Sequence, residues 1–147
     1  MLSEDFKNVL IEVAKKLNKN NIQFFVIGST NFALQGMEVS PHDLDILINY
    51  NDLVKVSEVF KDNKIKAVSK LKDKSGEGIE YDINGVEVQF VGENEKGFYD
   101  RGDRLVIVKI DSTEIPCYSL EKEAEVYKKL GRPRKAEIIR KFLENKN

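Results

Sequence analysis

The sequence predicts an α+β fold built as one domain over residues 1–147. Three observations predict it: strand and helix signals alternate over about the first sixty residues, two hairpin signals follow, and the chain closes on helical signals. At 147 residues the chain has the length of one ordinary domain and can bury a sizeable core. A net charge of −1 with 33% charged residues means interspersed signs, so no large basic footprint marks a nucleic-acid or acidic-membrane binder. Cys117 is the single cysteine, which excludes an intramolecular disulfide framework, and no apolar run reaches membrane-spanning length or resembles a signal peptide. The cytoplasm is the expected location.

Residues 4–19 read as an amphipathic helix, with Phe6, Val9, Leu10, Val13 and Leu17 on one stripe and Ser3 as N-cap. Residues 23–27 form a β-branched and aromatic run of strand length, Gly28 marks a sharp turn, and Ser29 opens a short apolar helix ending near Gly36. A strand at 43–48 leads into a helix at 52–62, capped by Asn49 or Asn51, with Leu53, Val56 and Phe60 inward. A short strand is expected at 65–69, then an exposed loop or flexible strand start at 70–78. Asn84-Gly85 between two alternating segments is a strong hairpin signal. After a loop at 92–104, a second hairpin is expected from 105–110 and 114–117 around Asp111-Ser112. Ser119 caps a helix running to Leu130 and stopped by Gly131. Pro133 stands near the start of a last helix with Ile138, Ile139, Phe142 and Leu143 as its core stripe.

The chemistry concentrates between residues 24 and 48. A helix start preceded by glycine presents backbone N–H groups and the positive end of the helix dipole, so Gly28 and Ser29 suit a phosphate, with the Ser29 hydroxyl as an added donor. In Asp43-Leu44-Asp45-Ile46-Leu47-Ile48 the alternation puts both carboxylates on one sheet face, a seat for a hard cation that takes its remaining ligands from substrate phosphates. Phosphate cradle and metal seat lie one crossover apart. Lys70, Lys72 and Lys74 read as a solvated face, and Arg101 and Arg104, which border the 92–104 loop, read first as ordinary surface arginines, with contact to a phosphate as the alternative. His42 reads as an incidental loop residue and Cys117 as a small core residue, because no partner base is suggested for it.

Ile27-Gly28-Ser29 followed by Asp43-Leu44-Asp45-Ile46 resembles the signature of the nucleotidyltransferase superfamily that includes DNA polymerase β. The small prokaryotic members, antibiotic nucleotidyltransferases and AbiE-type toxin relatives among them, are the most similar. The tail from Ile115-Pro116 through Tyr127-Lys128-Lys129-Leu130-Gly131-Arg132-Pro133 resembles their closing segment, so the likeness spans most of the chain. It implies a nucleotidyltransferase fold: a mixed, mostly antiparallel sheet with helices packed on one face and C-terminal helices. It also implies an NTP substrate held by Gly28 and Ser29, two magnesium ions held by Asp43 and Asp45, and a third carboxylate on a neighbouring strand.

Glu87 is the candidate for that third position, as metal ligand or as general base for the attacking hydroxyl. In the family the position is an Asp within a hydrophobic-Asp-hydrophobic triplet. Here Val86-Glu87-Val88 and Val88-Gln89-Phe90 align equally well, and a glutamine there carries no charge. The reaction implied is in-line transfer of a nucleoside monophosphate to a hydroxyl acceptor, which is a protein, an RNA end or a small molecule. The alternative is a degenerate member that binds nucleotide or serves as a toxin-antitoxin partner. A metal-dependent glycosyltransferase also uses Asp-x-Asp, but it needs a longer α/β domain. About thirty residues follow the last strand, so a homodimer or a partner protein is one way to complete the acceptor wall.

Overall fold

The computed structural model describes residues 2–70, 76–93 and 105–146. In chain order the elements are α1 (Glu4–Lys19), β1 (Phe24–Ile27), α2 (Gly28–Leu34), β2 (Asp43–Asn49), α3 (Leu53–Val59), β3 (Lys64–Lys70), β4 (Gly76–Ile83), β5 (Val86–Glu93), β6 (Leu105–Ile110), β7 (Thr113–Tyr118), α4 (Leu120–Lys129) and α5 (Pro133–Asn145). The seven strands form one sheet in the order β3-β4-β5-β2-β1-β7-β6. Only the β1–β7 and β2–β5 pairs are parallel, so the sheet is mixed and mostly antiparallel. Of the residues singled out in the sequence, Lys72, Lys74, Arg101 and Arg104 lie outside the described residues, as does most of the 92–104 loop.

The helix and turn signals act where they stand. Ser3 caps α1 by accepting from the Phe6 N–H at 3.2 Å, and Ser119 caps α4 by accepting from the Lys122 N–H at 3.1 Å; such caps each contribute about 1 kcal/mol. Asn84 and Gly85 both have positive φ (50° and 85°), as a two-residue hairpin turn requires. The helix after β2 departs from expectation. Asn49 precedes a short 3-10 turn, Tyr50–Asp52, and neither that turn nor α3 has a side-chain cap. Helix α3 is accordingly shorter than the 52–62 expected, although Leu53, Val56 and Phe60 are buried.

Alternation along the strands sorts the core. Leu44, Ile46 and Ile48 of β2 face the same way as Val26, Val88, Phe90 and Cys117, and α1 and α3 cover them. The opposite face carries Asp43, Asp45 and Leu47. There Phe25, Ile27, Leu47 and Tyr118 pack against Val126 of α4, and α2, α4 and α5 share a third cluster around Phe32, Leu120, Tyr127, Ala136 and Ile139. The expected α5 stripe needs one correction: Ile139 is buried but Ile138 is 59% exposed. Neighbouring helix positions lie about 100° apart, and α5 packs along a narrow stripe centred on Ala136 and Ile139. Cys117 is buried, and that burial pushes its thiol up to about 12, as suits a core residue rather than a nucleophile.

Candidate active site

The two motifs meet because β1 and β2 are antiparallel neighbours. Ile27, the last residue of β1, pairs with Asp45 near the start of β2. The 15 residues between the two strands fold back through α2, so the link is not the crossover that the strand-helix-strand order suggested. A parallel crossover would have put the Gly-Ser turn at the far end of β2 from its carboxylates.

Gly28 is fixed by two separate demands. Its φ is +73°, and a Cβ built on it would stand 2.9 Å from Asp45 Oδ2. Only glycine takes that backbone angle without strain and leaves the room. The turn is not a row of free donors, however. The Gly28 N–H donates to both carboxylate oxygens of Glu123, at 3.1 Å each, and Asn31 Nδ2 donates to Glu123 Oε2 at 2.6 Å. Asn31 Nδ2 also donates to the Tyr118 carbonyl, and Gln35 Nε2 donates to the same carbonyl and to Asn31 Oδ1. A carboxyl group from α4 therefore already occupies the first donor of α2. Ser29 is half-buried on that turn, and Thr30 ties it to β2 by donating to the Asp43 carbonyl at 2.8 Å.

Glu123 is fully buried, and burial pushes its carboxyl up to about 8 against the lowering effect of its hydrogen bonds from Asn31 and Gly28. Its helical position carried a legible signal: it sits on the same stripe as Leu120, Ala124 and Tyr127, where an acid is out of place.

Asp43 and Asp45 project from the same sheet face. Asp45 Oδ1 is enclosed and has no hydrogen-bond partner among the described residues. Its carboxyl is pushed up to about 7, first by burial, then by the Asp43 charge, with Lys135 opposing and Glu80 adding to the rise. A buried carboxylate oxygen without a donor, beside a second carboxylate, is under-neutralised, and a bound cation would relieve both conditions. The pair thus fits a hard divalent ion.

The strand register decides which further acids stand nearby. Asp43 pairs with Glu87 and Glu87 with Asp82; Asp45 pairs with Gln89 and Gln89 with Glu80. Glu87 is thus beside Asp43 on the same face, as expected. Its carboxylate, however, forms an ion pair with Lys66 Nζ at 2.5 Å, on the side of the exposed strand β3. Among the described residues no group of three or more acids, histidines or cysteines gathers as a metal cage. Glu80 escaped the sequence reading, yet its charge is the one that reaches Asp45 from this side. His42 is exposed.

The other wall comes from the C-terminal helices. Lys135 Nζ lies 5.0 Å from the centre of the Tyr127 ring and 5.9 Å from that of Phe32, and Arg132 stands 5.5 Å from the Tyr127 ring centre. Burial, and then the Arg132 charge, lower the Lys135 ammonium's pKa, while Glu123, Asp45 and Asp43 act to raise it.

A Thermotoga maritima protein proposed to be a nucleotidyltransferase, TM1012, is 28% identical, with a TM-score of 0.74 over 99% of this chain and 96% of that one. The lincosamide antibiotic adenylyltransferase LnuA, in its lincomycin-bound structure, superposes with a TM-score of 0.64 at 15% identity over 94% and 98% of the two chains. ANT(2'')-Ia in complex with adenylyl-2''-tobramycin gives 0.61 at 11% identity over 95% and 97%. At those two lower identities the likeness is one of fold. No curated protein matches the sequence. Among the described residues no helix is long and apolar enough to cross a membrane. The family model for aminoglycoside-2''-adenylyltransferase matches residues 9–141, nearly the whole of the chain, and the protein belongs to that nucleotidyltransferase family.

Proposed function

We propose that the protein transfers a nucleoside monophosphate from an NTP to a hydroxyl acceptor, with Asp43 and Asp45 as the seat for magnesium. The observation that carries this reading is the Asp pair itself: two carboxylates on one face, one with a buried oxygen that nothing among the described residues satisfies, at the end of the strand that meets Gly28. Magnesium bound there supplies the positive charge that polarises the α-phosphate and stabilises departing pyrophosphate. Gly28 admits the phosphates by its missing side chain, and Ser29 adds a hydroxyl. Glu87, in register with Asp43, takes the third carboxylate role or accepts the acceptor hydroxyl's proton once released by Lys66. The family's description favours ATP as donor, and the antibiotic-bound neighbours favour a small-molecule hydroxyl as acceptor.

One observation favours a second reading. The residue in register with Asp45 is Gln89, and the nearby Glu87 is ion-paired, which suits a member that binds nucleotide without transferring it. Calorimetry of each NTP with magnesium separates the two, comparing the wild type with Asp43→Asn/Asp45→Asn and following pyrophosphate release in the same samples. Magnesium-dependent binding that the variant loses, with release in the presence of an acceptor, supports transfer. Binding without release under any acceptor supports the second reading, and a wild type that binds no NTP with magnesium refutes both.

A further inference from the structure

We propose that the turn between α4 and α5 is the polyphosphate-binding wall of the site, with Lys135 contacting the phosphates of the nucleoside triphosphate directly. The inference rests on the nucleotidyl-transfer reading and names the half of the site that holds the leaving group.

The need for such a wall follows from Glu123. The first N–H of α2, which would otherwise face an anion, is bonded to both oxygens of that carboxylate. A triphosphate beside Asp43 and Asp45 must therefore find positive charge elsewhere, and the described residues offer it on one side. Gly131, Arg132, Pro133, Arg134 and Lys135 line an open groove of about 440 Å³, a volume within the range of small-ligand sites.

Lys135 is half-buried, with its ammonium over the rings of Tyr127 on α4 and Phe32 on α2. It therefore reaches from the groove across to the helix that begins at Gly28. Among the described residues no carboxylate comes within ion-pair distance of it. Arg132 shares the Tyr127 ring, so two cations converge on one aromatic side chain. Two like charges placed together, with no ion-pair partner among the described residues, suit a multiply charged anion, whose binding would remove their repulsion. Phe32, over which this ammonium stands, belongs to α2, the helix that opens at Gly28 against Asp45, and the charges of Asp43, Asp45 and Glu123 act on the same ammonium. Helix α5 begins there at Pro133, which has no N–H, and with no side-chain cap, leaving the N–H groups of Arg134 and Lys135 to face the same ligand.

Tripolyphosphate without metal is the direct probe, titrated by calorimetry into wild type, Lys135→Met and Asp43→Asn/Asp45→Asn, and followed by ATP with magnesium. Methionine keeps an unbranched apolar stem over Phe32 and Tyr127 while removing the charge, and circular dichroism confirms the fold. The wild type is expected to bind tripolyphosphate with an affinity that falls as salt rises. Lys135→Met is expected to weaken both tripolyphosphate and ATP at least about tenfold, the loss of one charge-assisted bond. The Asp variant should keep tripolyphosphate and lose magnesium-dependent ATP binding. Backbone amide shifts of Gly131, Arg134 and Lys135 in the tripolyphosphate-titrated wild type give an independent readout. No tripolyphosphate binding, wild-type affinity in Lys135→Met, or shifts that map away from this turn would each overturn the proposal. Lys135-dependent tripolyphosphate binding together with magnesium-independent ATP binding would uphold the groove and sink the transfer reading instead.

Discussion

Replacing Glu123 by glutamine should change how the stability of the whole domain depends on pH. In the folded protein this carboxyl is raised from the ordinary 4.5 to about 8, chiefly by burial. The folded state therefore holds the proton more tightly than the unfolded chain. For a group raised in this way, the stabilising contribution is complete below the unfolded value and is lost as pH climbs through the folded one. Between pH 4.5 and about 8 the wild type should thus lose stability to this site. At about 1.4 kcal/mol per pH unit the displacement corresponds to roughly 5 kcal/mol as an upper figure. Hydrogen bonds from Gly28 and Asn31 already oppose the rise, and Asp45 and Lys135 act in opposite directions on the same carboxyl.

The variant removes the titration but not the shape. A glutamine oxygen can still accept from the Gly28 N–H, whereas its amide nitrogen meets the Asn31 amide donor, so a cost of about 1 kcal/mol is expected at pH 5. By pH 9 that order should reverse, because the wild type then carries a buried carboxylate and the variant does not. Urea unfolding at half-unit pH steps from 5 to 9 reads the difference directly. Subtracting the two curves cancels the groups that do not interact with Glu123; Asp45 and Lys135, whose charges act on it, leave a smaller residual difference. A difference that stays flat across this range, or a wild type that gains on the variant as pH rises, refutes the burial argument for Glu123.

Three other substitutions test the site from different sides. Gly28→Ala forces a side chain into a left-handed backbone position and sets a methyl 2.9 Å from Asp45 Oδ2. It should cost about 1–2 kcal/mol, a fall of roughly 2–8 °C in melting temperature for a domain of this size, with a larger loss of magnesium-dependent ATP binding; unchanged melting and binding would remove the close-approach argument. Glu87→Gln and Glu80→Gln, compared in the pyrophosphate-release assay, should separate the two candidate acids. Glu87→Gln is expected to slow release about 100-fold while leaving ATP affinity close to wild type, and a loss confined to Glu80→Gln would move the third carboxylate to the row of Asp45 and Gln89.

The parts of this protein that could be read from the sequence are those set by neighbours within a few residues. Alternation over Asp43, Leu44, Asp45 and Ile46 places two acids on one face whatever the partner strand is, and Asn84-Gly85 dictates its own turn. The direction in which β1 meets β2 is not local information. A strand, a helix and a strand fit a parallel crossover and an antiparallel return equally well, and the antiparallel return alone brings Gly28 to Asp45. Glu87 shows the same limit: its face could be read, but its capture by Lys66, 21 residues earlier, depends on how β3 and β4 pair.

Glu123 and Lys135 lie further still from the motifs they serve. The hydrogen bond from Gly28 to Glu123 spans 95 residues, and in a helix reading Leu-Glu-Lys-Glu-Ala-Glu-Val-Tyr one acid among three draws no notice. What separates it from Glu121 and Glu125 is position: it falls on the stripe of Leu120, Ala124 and Tyr127, and its two companions are exposed. A carboxylate on an apolar stripe must find donors, because burying it bare would cost several kcal/mol. At a junction between α4 and the sheet the nearest unpaired donors belong to the start of another helix. The misplaced acid in α4 and the glycine that ends β1 are thus two halves of one requirement. That requirement fixes where the C-terminal helices sit, and with them the side from which Lys135 approaches Asp43 and Asp45.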